Sequence, residues 1–150
     1  MGLRGQEAVQ SIHSLQTWHK ALKQGKQHLT VVFGTKTGRP RDTCIIDRER
    51  VQQAVNNALH IAEQRNDRLI DKPDLKQAMN YWRNQTRRIG LKGQHSPHSL
   101  RYAWAQEAIQ HYTQQGYTEK EALALTSMDL GHGDGRGRYV KRVYGLVEVW

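Results

Sequence analysis

LTVVFGTKTGRPRDTCIID, Leu29 to Asp47, is built of two runs rich in β-branched residues around a turn. LTVVFG and TCIID read as strands, and TKTGRPRD between them supplies the turn, so the stretch predicts a β-hairpin with a basic tip carrying Lys36, Arg39 and Arg41. Outward from it the pattern is helical. Glu7 to about Gln24 reads as helix with a break near Ser11 to Ser14. Val51, Ala54, Val55, Ala58, Leu59 and Ala62 follow helical spacing, as do Leu75, Ala78, Met79 and Trp82 after Pro73. Ser96 with Pro97 can open a helix whose apolar face runs through Leu100, Trp104, Ala105, Ala108, Ile109 and Tyr112. Thr118 and Glu121 are spaced as a capping box for EKEALALTSMDL, and the glycines after Leu130 stop that helix. The predicted fold is therefore mainly α with one small antiparallel sheet, an α+β chain. No repeat, low-complexity tract or Pro/Gly linker divides it, so residues 1–150 read as one domain.

The charge is one-sided: 23 Lys and Arg stand against 14 Asp and Glu, giving +9. Such a surface suits a polyanion. A membrane surface fits less well, because no segment joins a strong apolar face to a basic one. One cysteine, Cys44, cannot form an internal disulfide, and no secretory signal opens the chain, which points to a reducing, cytoplasmic location. The scattered histidines lack zinc-ligand spacing, and there is no P-loop or EF-hand, so no metal or cofactor is expected.

Several groups could meet a phosphate. His98 and Arg101 lie three apart at a helix start, where free N–H groups favour an anion; the same spacing also occurs as a solvated or structural pair. Lys36 at the hairpin tip could enter a DNA groove or be a solvated turn residue. Arg4 and Glu7 share one helical face, as many surface pairs do.

Taken together and in order, these pieces resemble the catalytic domain of tyrosine recombinases, the phage-integrase family. Its motifs stand here as Arg4 in GLRGQEA, Lys36 in GTKTGRPR, His98 and Arg101 in PHSLRYAWA, His132 in LGHGDG, and a tyrosine in RYVKRVYG. The resemblance implies a hydroxyl attack on a DNA phosphodiester that forms a 3′-phosphotyrosyl bond and frees a 5′-hydroxyl, with no cofactor. Arg4 and Arg101 would stabilise the phosphorane, Lys36 would protonate the leaving oxygen, His98 would assist proton transfer, and His132 would hydrogen-bond a nonbridging oxygen. Glu7 would support the arginine-bearing turn. It further implies duplex DNA as substrate, a tetramer of full-length chains on DNA, and a prophage or other mobile element in a bacterial or phage setting. Set against the family's pattern, residues 1–150 are expected to be a catalytic domain truncated at its N-terminal side, without the helices and clamping domain that usually precede the first arginine.

The nucleophile is ambiguous, because the family's usual position falls on Lys141. Tyr139 and Tyr144 flank it, five residues apart, which on a helix turns them about 140° from one another, so one must be chosen. VKRVYG resembles the nucleophile segment, and GDGRGR reads as a lengthened basic loop before it, which selects Tyr144 and leaves Tyr139 as the alternative. Arg39, Arg41, Arg136, Arg138 and Lys141 are the expected DNA contacts. Two other readings share the basic surface: a non-catalytic DNA-binding remnant or regulator, and a type IB topoisomerase.

Overall fold

The computed structural model describes residues 1–132. It begins with a short helix α1, Gly5–Val9, a single 3₁₀ turn over Ser11–His13, and helix α2, Leu15–Lys23, so the expected break in the first helical stretch is present. The hairpin follows as β1, His28–Val31, and β2, Arg41–Cys44, antiparallel, with Leu29 opposite Thr43 and Val31 opposite Arg41. These two strands are the whole sheet among the described residues, and both are shorter than the sequence pattern implies. Helices α3 (Arg48–Gln64), α4 (Leu75–Arg88), α5 (Ser99–Gln114) and α6 (Glu119–Asp129) complete the mainly helical α+β architecture.

The hairpin sits between two cores. Leu29, Val31 and Ile45 point to one side and pack with Leu15, Trp18 and Leu22 of α2 and Val55 of α3. Trp18 Nε1 donates to the Thr30 carbonyl at 2.7 Å, which ties α2 to β1 without leaving a buried donor unmade. Cys44 faces the other way, into Ala108 and Tyr112 of α5 and Ala122 of α6. A two-stranded hairpin is marginal alone. Burial on both sides is what gives this one a defined position.

Helix α5 begins later than Ser96 and Pro97 imply. Those two residues form a tight turn in which the N–H groups of Ser99, Leu100 and Arg101 reach the carbonyls three residues back, and His98 occupies the cap position. The buried face of the helix is Arg101, Ala105, Ala108 and Tyr112, while Leu100 is 59% exposed. The apolar stripe read from the sequence is therefore kept through Ala105, Ala108 and Tyr112, with Trp104 and Ile109 packed beside them, and departs only at its start, where Arg101 rather than Leu100 takes the first inward position.

Helix α6 carries the capping box: Glu121 N–H donates to Thr118 Oγ1 and Thr118 N–H to Glu121 Oε1, both at 3.2 Å. Thr118→Ala is expected to lower stability by about 1 kcal/mol. A lower urea midpoint with an unchanged slope would show it; an unmoved midpoint would mean that packing alone holds the helix start.

Candidate active site

Helix α1 starts at the first arginine. Arg4 is its cap residue, and the Arg4 N–H donates to Glu7 Oε1 at 2.7 Å, so the carboxylate satisfies one of the free donors of the first turn. Glu7 itself is 1% exposed. Its main partner is Arg41 from the start of β2, which donates through Nε to Oε2 at 3.1 Å and through Nη2 to Oε1 at 2.8 Å. This is the bidentate fork that matches a guanidinium to a carboxylate. Burial by itself would raise the Glu7 carboxyl, but the hydrogen bonds and charge of Arg41, joined by Arg4, outweigh it and hold the group below the usual range.

Arg41 reaches further. Its Nη1 donates to the carbonyl of Asp129 at the end of α6, and its Nη2 lies 3.4 Å from the carbonyl of Gly2. The expectation that Arg41 is a surface contact for DNA is corrected: its guanidinium is turned inward and committed to Glu7 and backbone carbonyls, and the residue is 8% exposed. A buried carboxylate 34 positions away draws it in.

The LGH segment forms the C-terminal cap of α6. Gly131 has φ +85°, its N–H donates to the Met128 carbonyl, and the His132 N–H to the Ser127 carbonyl, both at 2.9 Å. This pair of bonds is the Schellman arrangement, and it defines where the His132 backbone leaves the helix. A β-carbon on Gly131 would lie 2.9 Å from Arg41 Cδ and 3.5 Å from Arg4 Nη1, so glycine brings this turn directly against the two arginines.

Asp129 is the residue the sequence reading passed over. A carboxylate in the last turn of a helix opposes the helix dipole, which is a signal that it has compensating partners. It has them: Tyr112 Oη donates to Oδ2 at 2.5 Å and the Cys44 N–H to Oδ1 at 3.2 Å. Burial nevertheless dominates and holds the Asp129 carboxyl above its usual range, with Tyr112, His28, Cys44 and Arg41 offsetting part of the effect. Tyr112, buried and bonded to Asp129, is pushed well above the usual phenol range. Through these contacts the end of α6 is joined to both β2 and α5.

These elements enclose an open cleft of about 820 Å³ lined by Arg4, Lys36, Arg39, Arg41, Gly131 and His132 among others. Lys36 and Arg39 are exposed on the hairpin side, Arg4 and His132 half-buried on the other. The remaining expected residues are placed differently. Arg101 is 1% exposed and does not line the cleft: its Nη1 donates to the Gly2 carbonyl and its Nη2 to the Leu130 carbonyl at 2.8 Å, with Glu7 Oε1 3.9 Å away. His98, by contrast, is exposed and packs edge-on to Tyr102 with ring centroids 5.5 Å apart. The two therefore do not form one open anion cradle. Partial burial first, then the nearby charges of Arg101 and Arg4, hold the His98 imidazolium pKa below the ordinary histidine value, which favours the neutral ring. Arg136, Arg138, Tyr139, Lys141 and Tyr144 lie outside the described residues.

Three guanidiniums around one carboxylate leave a positive site even after Arg41 has paired with Glu7. A family model described as Integrase matches residues 1–107, well over half the chain. The chain belongs to the integrase family, whose activity is DNA integration and recombination and whose partner is DNA. Searches of curated proteins and of solved structures return no match. No helix among the described residues is long and apolar enough to cross a membrane.

Proposed function

We propose that this chain carries the strand-cleaving centre of a tyrosine recombinase and cuts duplex DNA through a 3′-phosphotyrosyl intermediate, in the service of a prophage or another mobile element and within a tetramer of full-length chains. The observation that carries the reading is the convergence of Arg4, Lys36 and His132, from three separate segments, on one positively charged cleft. A phosphodiester there meets donors whose charge matches what develops on its nonbridging oxygens, so they bind the transition state more strongly than the ground state.

Arg4 and His132 contact nonbridging oxygens in this mechanism. Arg101 joins them by turning donors now on the Gly2 and Leu130 carbonyls toward the phosphate. The neutral ring of His98 accepts the proton of the attacking hydroxyl, and Lys36 gives one to the departing 5′-oxygen. The bond energy is kept in the phosphotyrosyl ester for rejoining. Tyr144 is the nucleophile and Tyr139 a flanking residue, with Arg39, Arg136, Arg138 and Lys141 on the DNA backbone.

A nicked suicide substrate that loses its 5′-hydroxyl fragment traps the covalent adduct, assayed at low salt where phosphate contacts are strongest. Tyr144→Phe is expected to abolish the adduct, seen as a shifted band on a denaturing gel, and Tyr139→Phe to retain it. The opposite pattern would move the nucleophile to Tyr139. The bonding of Arg101 to two carbonyls favours a second reading, a DNA-binding protein without cleavage; salt-sensitive binding with no adduct on any nicked substrate would select it.

A further inference from the structure

We infer that Arg41 is a positioning residue for Lys36, holding the hairpin at the cleft, and not a DNA contact. The inference rests on the reading of Lys36 as the acid that protonates the leaving oxygen. Lys36 sits at an exposed tip between two four-residue strands, and such a tip has no intrinsic reason to stay at one distance from Arg4 and His132. Arg41 supplies the reason. It is the first residue of β2, opposite Val31, the last residue of β1, so it stands at the neck from which the tip projects.

From that neck its guanidinium reaches Glu7 of α1, the Asp129 carbonyl of α6 and the Gly2 carbonyl. Those segments lie 34, 88 and 39 positions away in sequence. They are also the segments that carry Arg4 and, three residues beyond Asp129, His132. One side chain thus keys the hairpin to both other walls of the cleft. It has a second effect: by pairing bidentately with Glu7 it satisfies the carboxylate that would otherwise draw Arg4, now 4.0 Å away, and Arg101. Lysine in its place keeps the charge but cannot make the fork or span the same three groups.

The test separates positioning of the acid from general damage. In cleavage the tyrosyl oxygen forms a bond to phosphorus, the P–O5′ bond breaks, and the proton from Lys36 goes to O5′. With sulfur in place of the 5′-bridging oxygen the P–S bond breaks instead, and the thiolate leaves without needing a proton, since a thiol has a pKa of about 8.5. Nicked oxygen and 5′-bridging sulfur substrates are compared at saturating protein for the unaltered chain, Lys36→Ala, Arg41→Lys and Arg41→Gln. Each protein is assayed well below its own melting temperature and normalised to its folded fraction.

Arg41→Lys and Arg41→Gln are expected to lose on the order of 10²-fold in cleavage of the oxygen substrate, the usual range of a general acid, and to recover to within about tenfold on sulfur. Their salt slope of DNA binding stays unchanged, whereas Arg39→Ala lowers it by about one. If Lys36→Ala recovers on sulfur and the folded Arg41 variants do not, Arg41 does not position the acid. A salt slope lowered by about one in the Arg41 variants would make it a phosphate contact and overturn the inference. Failure of Lys36→Ala itself to recover would overturn the role of Lys36 in the proposed reaction, a result distinguishable from the other two.

Discussion

Replacement of Glu7 by glutamine is expected to destabilise the chain by about 3 kcal/mol, within the range seen when one partner of a buried ion pair is removed. The Arg41 guanidinium would stay buried, 5% exposed in its side chain, with an amide in place of a charge. One glutamine oxygen can still accept a bond, but the NH₂ group would face donors of Arg41, and the Arg4 N–H would compete for the same oxygen. Against a total stability of about 5–15 kcal/mol for an ordinary domain this is a large fraction. Urea denaturation at pH 7 measures it, and a difference below about 1 kcal/mol would mean that the Glu7–Arg41 pair contributes little net stability.

The same residue sets an acid limb. Its folded pKa lies below the ordinary value, so the stability it contributes is complete above about pH 4.3 and fades as pH falls through the folded pKa. The gap between the unaltered chain and Glu7→Gln is expected to narrow below about pH 4. Asp129 has the opposite sign: with its carboxyl held above the usual value, the folded state takes up a proton more readily, and stability falls as pH rises through that range. Asp129 is present in both proteins, so the difference between them isolates Glu7.

Gly34→Ala is expected to cost about 3 kcal/mol and to lower DNA cleavage with it. Gly34 has φ +81°, and a β-carbon there would stand 2.7 Å from the Gln6 carbonyl oxygen and 2.9 Å from the Glu7 nitrogen, backbone atoms of α1 that cannot swing aside. The hairpin leaves β1 at this point and passes against α1 just before Lys36. Gly38 offers the comparison: its φ is +72° but a β-carbon would meet nothing within 4 Å, so Gly38→Ala carries the left-handed strain alone, about 1 kcal/mol. Equal effects of the two substitutions on the denaturation midpoint would show that the close approach to α1 has no energetic weight.

Much of the architecture was legible without coordinates, for reasons local to each element. The hairpin announced itself through β-branched runs around TKTGRPRD, α6 through its Thr118–Glu121 box, and the end of α6 through Gly131, because each feature acts over only a few residues. The start of α5 lies two residues beyond the expected one: SPHSL can begin a helix at Pro97 or turn once more first, and packing of Arg101 inward selects the turn. The site was legible as an ordered set of residue types. Their geometry was not.

Arg39 and Arg41 illustrate the boundary. Two residues apart in one basic turn, they read alike in sequence, yet Arg39 is exposed and Arg41 is buried against Glu7. Likewise Asp129 and Tyr112 carry no local mark of a pair, and Arg101 gives no local sign of lying behind the cleft rather than on its wall. The sequence by itself determined the helices, the hairpin, the turn at LGH and the family, since each follows from short-range propensity or from residue order. Only the tertiary structure decided which charges are buried. A buried guanidinium is tolerable only where a carboxylate and carbonyls from distant segments arrive to meet it, and that meeting is a property of the packed chain.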